Sequence, residues 1–115
     1  MRNNLSDMMC LDIYLSGLSD LEYKKVHILW VNNGFTEMTG YPKSEAINRN
    51  PDFLQGEKTS KAVILKIRNK IQQTKPFKTE IINYRKDGSV YNCEIRLFPL
   101  IGESSLHFLA LERAV

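Results

Sequence analysis

The spacing of hydrophobic residues changes along this chain, and each spacing predicts a different element. Short apolar runs at 11–15 and 26–31 flank a polar segment, so the chain should open with a hairpin of two strands. The stretch from 33 to 54 is interrupted by Gly40 and Pro42, which leave room only for short helices. The first half therefore predicts two strands followed by a string of brief helices.

One longer helix is predicted over about residues 60–73. Ile64, Ile67 and Ile71 recur there at the interval that lines one face of a helix. The helix should bury this isoleucine face against the rest of the fold, while the lysines between these positions face water.

Beyond residue 77 the spacing becomes that of strands, with apolar and polar side chains in alternation. Asp87-Gly88 is a tight hairpin signal, and residues 102–105 suit a second turn before a last strand that runs through Glu112. This order of elements predicts an α+β fold, a five-stranded antiparallel sheet with short helices and one longer helix on one face.

Composition narrows the class of protein. With 115 residues the chain is about one domain long, and its 16 basic and 13 acidic residues are interspersed. That pattern favours a solvated surface and predicts no binding to nucleic acid. No segment has the roughly 20 apolar residues of a membrane span, and the first ten residues lack the pattern of a signal peptide. A cytoplasmic protein is therefore expected.

The chain offers little material for catalysis or for a metal site. Cys10 and Cys93 do not have metal-ligand spacing, and two distant thiols should stay reduced in the cytoplasm. His27 and His107 stand alone. Because no nucleophile–base set and no phosphate-binding glycine loop is present, the chain is predicted to be neither an enzyme nor a metalloprotein.

Three segments carry a resemblance to a known family. The run Asn-Arg-Asn-Pro-Asp-Phe-Leu-Gln-Gly at 48–56 resembles the signature GRNCRFLQG of the flavin-binding light-oxygen-voltage (LOV) branch of the PAS family. Lys-Ile-Arg at 66–68 and Ile-Asn-Tyr at 82–84 resemble further pieces of that pattern in the same register. The resemblance implies the PAS fold, with residues 1–10 as an N-terminal extension and 11–115 as the sensory domain.

The same resemblance implies a flavin, FMN or FAD, as the candidate cofactor. It places amides of the signature and of two strands at the ring, an arginine of the long helix at the phosphate, and a glutamine of the last strand near the redox-active nitrogen. Here a cysteine stands in place of the second strand asparagine, and a glutamate replaces that glutamine. The candidate cofactor-binding residues are Asn50, Gln55, Arg68, Asn83, Cys93 and Glu112.

For two of these positions a physical argument independent of the resemblance also applies. Asn83 shares a strand face with Ile81, so its amide should point into the core, where it needs a partner. Glu112 falls on the inward face of the last strand, where burial would raise the pKa of its carboxyl and keep it protonated. Because Glu112 lies three residues from the end of the sequence, a frayed strand with a hydrated carboxylate is the other interpretation.

Besides Cys93 and Glu112, two further positions depart from the family pattern. Pro51 stands where the family has its reactive cysteine, and a cysteinyl–flavin adduct cannot form there without a sulfur nucleophile. Asp52 stands in place of a phosphate-binding arginine and would repel a dianion.

These features favour a sensory PAS domain of a signal-transduction protein. It would sense a small ligand or redox state and relay it to an output domain, for which the resemblance implies a histidine kinase or a diguanylate cyclase. The alternative is a LOV-type flavin module without the cysteine, signalling by flavin reduction; a haem variant would lack a histidine on the long helix. Apolar side chains on the outer sheet face predict contact with a flanking helix or a homodimer; they are Ile82, Tyr84, Phe98, Leu109 and Leu111.

Overall fold

The computed structural model describes residues 26–102 and 106–115 and the backbone of residues 8–13. Five strands, three α-helices and one 3-10 helix follow one another in these ranges. In chain order they are β1 (Met8–Ile13), β2 (His27–Val31), α1 (Asn33–Thr39), α2 (Lys43–Ala46), the 3-10 helix (Pro51–Leu54), α3 (Lys61–Gln72), β3 (Phe77–Tyr84), β4 (Val90–Ile101) and β5 (Leu106–Ala114).

The strands form one sheet in the order β2-β1-β5-β4-β3, and every neighbouring pair is antiparallel. The α+β class with an antiparallel sheet is confirmed. The opening pair β1–β2 agrees with the predicted hairpin, although its turn lies outside the described residues. β1 begins at Met8, inside the segment that was predicted to be an extension, because the backbone of Met8–Ile13 pairs with β5, a partner almost 100 residues away.

The helices begin and end where capping side chains require it. The Ser60 hydroxyl accepts from the backbone N–H of Val63 at the start of α3. Ile67 and Ile71 are buried on the inner face of that helix, as predicted. The Asn32 side chain caps α1, and Gly40 ends it with a φ of 81°, a left-handed conformation that glycine adopts without strain. Helices and inward strand residues thus share one hydrophobic core.

The other face of the sheet combines exposed apolar side chains with a charged network. Phe98 and Leu100 on β4 are 39% and 49% exposed. Beside them Glu94 accepts two hydrogen bonds from Arg113, both of 3.1 Å. Tyr84, also predicted for this face, is half-buried: its ring lies against Gly56, and its hydroxyl accepts from the N–H of Lys58.

Candidate functional site

A small cavity lies between the sheet and the helices that cover it. The 3-10 helix and α3 form its cover, while β3, β4 and β5 form its floor, and its volume is about 50 Å³. Its walls are mostly aliphatic, so the cavity is apolar and has few polar groups. The lining residues are Pro51, Leu54, Gln55, Ile67, Ile71, Ile81, Asn83, Ile95, Leu97 and Glu112.

Three of the six predicted site residues meet at this cavity. Gln55 reaches it from the end of the 3-10 helix, Asn83 from β3 and Glu112 from β5. Asn83 is 5% exposed and Glu112 is 3% exposed. The inward orientation predicted for Asn83 is therefore confirmed, and the frayed, hydrated alternative for Glu112 is wrong because β5 continues to Ala114 and holds the carboxyl inside.

Cys93 lies next to Glu112 on the neighbouring strand. Its Sγ donates to Oε1 of Glu112 over 3.2 Å, and both side chains are buried. The thiol is a weak donor, but in a site shielded from water its hydrogen bond to a carboxyl oxygen is strengthened. Among the described residues that line the cavity, Glu112 is the only one with an ionisable side chain, and Cys93 fixes one of its oxygens.

Tyr91 is a neighbour of the site that the sequence analysis did not single out. It pairs across the hairpin with Asn83, and its ring lies 4.3 Å from the guanidinium carbon of Arg85. Burial raises the pKa of Tyr91 well above its usual value, and the nearby carboxyl of Glu112 raises it further. The phenol therefore stays protonated. Two-residue alternation along β4 predicts Tyr91 on the same face as Cys93, and its burial agrees.

Asn50 and Arg68 are not among the residues that line the cavity. The amide nitrogen of Asn50 donates to the carbonyl of Val26 over 2.9 Å, and its oxygen accepts from the backbone N–H of Asp52 over 3.0 Å. Asn50 thus caps the 3-10 helix and ties it to the start of β2. Arg68 is half-buried on α3.

Two of the positions that depart from the family signature, Pro51 and Asp52, lie on the 3-10 helix. Pro51 occupies its first turn and lines the cavity, while the side chain of Asp52 is exposed. Proline suits this place because the first residue of a helix has no carbonyl partner for its N–H. The wall of the cavity at residue 51 is therefore apolar and chemically inert.

Other kinds of site find no support in the part of the chain that the structure describes. No group of three histidine, cysteine, aspartate or glutamate side chains there could hold a metal ion. None of the described helices has the length and apolar character needed to cross a membrane.

Comparison with known proteins identifies relatives of this chain. Over 99 residues the chain is 36% identical to a blue-light photoreceptor of Listeria monocytogenes, covering 85% of this chain and 39% of that protein. It is 38% identical over 76 residues to a blue-light-activated histidine kinase of Rhizobium johnstonii, covering 66% of this chain and 22% of that protein. The chain thus spans well under half the length of these curated relatives.

A solved structure has the same fold as this chain. The LOV domain from a blue-light activated histidine kinase of Erythrobacter litoralis superposes with a TM-score of 0.81 at 25% identity, covering 95% of this chain and 94% of that one. The family model described as "PAS domain" matches residues 12–111. The chain belongs to the PAS domain family and is similar to the LOV domains of blue-light photoreceptors.

Proposed function

We propose that this chain is the sensory domain of a signalling protein and that it binds a flavin-like heterocycle in the cavity under α3. The observation that carries the proposal is the meeting of Gln55, Asn83 and Glu112 at one otherwise aliphatic cavity. Few polar groups converging on an apolar slot are typical of sites for flat organic ligands. Relatives named as blue-light photoreceptors and blue-light-activated histidine kinases support the same reading.

The residues present suit the polar edge of a flavin ring. An amide offers one acceptor and two donors, so Gln55 and Asn83 can match the alternating carbonyl and N–H groups of the pyrimidine edge. The aliphatic walls suit the flat faces of the ring. A pocket for such a ligand usually measures about 300 Å³ or more. Because the cavity is about 50 Å³, the 3-10 helix and α3 must move outward as the ligand enters.

When bound, the flavin would supply light absorption and reversible reduction, which are properties of the ring itself. In this proposal Pro51 replaces the thiol that forms the covalent adduct in LOV domains, so signalling depends on hydrogen bonds and charge alone. Glu112 orients the ligand edge and accepts from Cys93 over 3.2 Å. A ligand that competes for Oε1 of Glu112 would loosen this link between β4 and β5. The domain itself catalyses no reaction.

The signal would leave through β5. Glu112 faces the cavity, while its neighbour Arg113 faces outward and binds Glu94 of β4. A shift of the end of β5 therefore reaches both faces of the sheet. Exposed Phe98 and Leu100 provide apolar area for a flanking helix or a second copy of the domain, and the output domain would be a histidine kinase or a diguanylate cyclase.

A second candidate is a PAS domain that acts without a cofactor. The small volume of the cavity favours it, because the aliphatic side chains already fill most of the space between α3 and the sheet. Such a domain would respond through contacts on the outer sheet face alone.

The test is the visible spectrum of the purified protein after incubation with FMN or FAD and removal of the excess. A structured flavin band should stay with the parent protein. Asn83→Ala should weaken retention, since it removes a cavity amide. Asn92→Ala is the matched control, because Asn92 lies on the paired strand with its side chain exposed. A parent protein that stays colourless with both flavins refutes the flavin proposal and leaves the cofactor-free domain.

A further inference from the structure

Residues 56–59 form a turn between the 3-10 helix and α3, the two elements that cover the cavity. This turn is fixed to β3, the strand at the edge of the sheet. The Thr59 hydroxyl donates to the carbonyl of Ile82 over 2.7 Å and accepts from the N–H of Gly56 over 3.0 Å. The N–H of Thr59 donates to the carbonyl of Gly56 over 3.0 Å, which closes the turn. The 56–59 turn is therefore held by side-chain bonds to a strand as well as by its own backbone.

Tyr84 fixes the same turn from the other side of Asn83. Its hydroxyl accepts from the N–H of Lys58 over 2.9 Å. Its ring also lies against Gly56, where an added Cβ would be 2.5 Å from Cε1. A larger residue at 56 would force the ring or the turn to shift, so the ring contacts the backbone of the turn directly.

These attachments bear on the candidate site because of where they lie in the sequence. Gln55 precedes the 56–59 turn, and Asn83 stands between the two strand residues that hold it, Ile82 and Tyr84. At the other end of the 3-10 helix, Asn50 is tied to Val26. The cover that includes Gln55 is thus fixed at both ends, and the second attachment sets how far Gln55 lies from Asn83.

We propose that Thr59 and Tyr84 are positioning residues that hold Gln55 at the cavity and control the exchange of its ligand. This inference rests on the proposed ligand-binding function. Because the cavity is small, a ligand enters or leaves only when the 3-10 helix moves away from the sheet. That movement pulls on the 56–59 turn, so the bonds to Ile82 and Tyr84 must break first. Breaking them is the opening step, and their strength sets its frequency.

The test uses two variants that remove single hydroxyls. Tyr84→Phe removes the acceptor of the Lys58 N–H but keeps the ring, and Thr59→Val removes the hydroxyl with nearly the same shape. Tyr41→Phe and Thr36→Val are the matched controls, since they remove the same groups outside the 56–59 turn. Urea unfolding establishes that each variant is folded. If Tyr84→Phe does not fold, the measurements on Thr59→Val alone decide the outcome.

The first readout needs no ligand. Cys93 is fully buried and bonded to Glu112, which lines the cavity, so opening of the cover should let iodoacetamide reach its thiol. Peptide mass spectrometry separates its labelling from that of Cys10. Loss of one hydrogen bond should speed the labelling of Cys93 by about three- to tenfold in Tyr84→Phe and Thr59→Val. Labelling rates equal to those of the two controls would overturn the proposal.

The second readout is the rate at which bound FMN leaves each protein. It is measured after dilution into an excess of an apoprotein that captures free FMN. Release should accelerate by the same factor as the labelling of Cys93. Faster labelling with unchanged release would overturn the role in ligand exchange. If the parent protein binds no FMN, the proposed flavin function fails, whereas the labelling of Cys93 still decides whether Thr59 and Tyr84 hold the cover closed.

Discussion

Gly56→Ala is the substitution for which the structure gives the sharpest expectation. The new Cβ would lie 2.5 Å from Cε1 of Tyr84 and 2.8 Å from its Cδ1 and Cζ, well inside van der Waals contact. Either the ring or the 56–59 turn must move. Overpacking of this kind costs about 1–3 kcal/mol. If the ring swings away, the bond from Lys58 to the Tyr84 hydroxyl is also lost, which adds about 0.5–1.5 kcal/mol.

One effect acts in the opposite direction. The φ of Gly56 lies outside the left-handed range, so alanine fits the backbone here. Replacing glycine at such a position stabilises a protein by about 0.4–1 kcal/mol through the unfolded state. The clash is larger than this gain, and we expect Gly56→Ala to lower the free energy of unfolding by about 1–3 kcal/mol.

The assay is urea unfolding followed by far-UV circular dichroism, in the parent and in a Tyr84→Ala background. Without the ring, the alanine at residue 56 meets no clash, so the same substitution should be neutral or stabilising by up to about 1 kcal/mol. The sign of its effect should therefore change between the two backgrounds. An equal loss of stability in both would show that the Tyr84 ring does not confine Gly56, and would refute the reasoning.

Two further predictions concern the outer network and the core. Arg113 lowers the pKa of Glu94 chiefly through hydrogen bonds, so the pair stabilises the fold above the usual carboxyl pKa of 4.5 and this contribution is lost as the pH falls through the lowered value. The urea midpoint of the parent should therefore fall more steeply below about pH 5 than that of Glu94→Gln; parallel profiles would contradict this. Ile71→Ala, which truncates a buried residue at the cavity, should cost about 2–5 kcal/mol in urea unfolding, and a loss below about 1 kcal/mol would mean that the cover collapses into the space.

Elements with strong local signals could be predicted closely from the sequence. Ser60 and the isoleucine spacing predict α3 to within one residue at each end, because capping and amphipathicity act over a few neighbouring residues. Asp87-Gly88 likewise gives the β3–β4 hairpin, and Gly88 has the positive φ of 90° that the turn requires. β1 was harder to delimit because its first residues are fixed by pairing with β5, which no local pattern encodes.

The candidate site could likewise be predicted from the sequence only in part. Strand alternation places Asn83 and Glu112 on the inward face, since a side chain two residues away from a buried one shares its face. Alternation does not say which strand lies beside which, and the contact of Cys93 with Glu112 depends on β4 and β5 being neighbours. Asn50 matches the signature, yet its side chain serves the 3-10 helix and the start of β2.

The sequence by itself determined the class of fold, the family resemblance and the inward face of each strand, because these depend on residue type and on short spacings. Only the tertiary structure decided the volume of the cavity, the packing of Tyr84 against Gly56 and the attachment of Thr59 to Ile82. These features join residues more than 20 positions apart. Their geometry follows from how the helices settle on the sheet, which side-chain packing across the whole core determines.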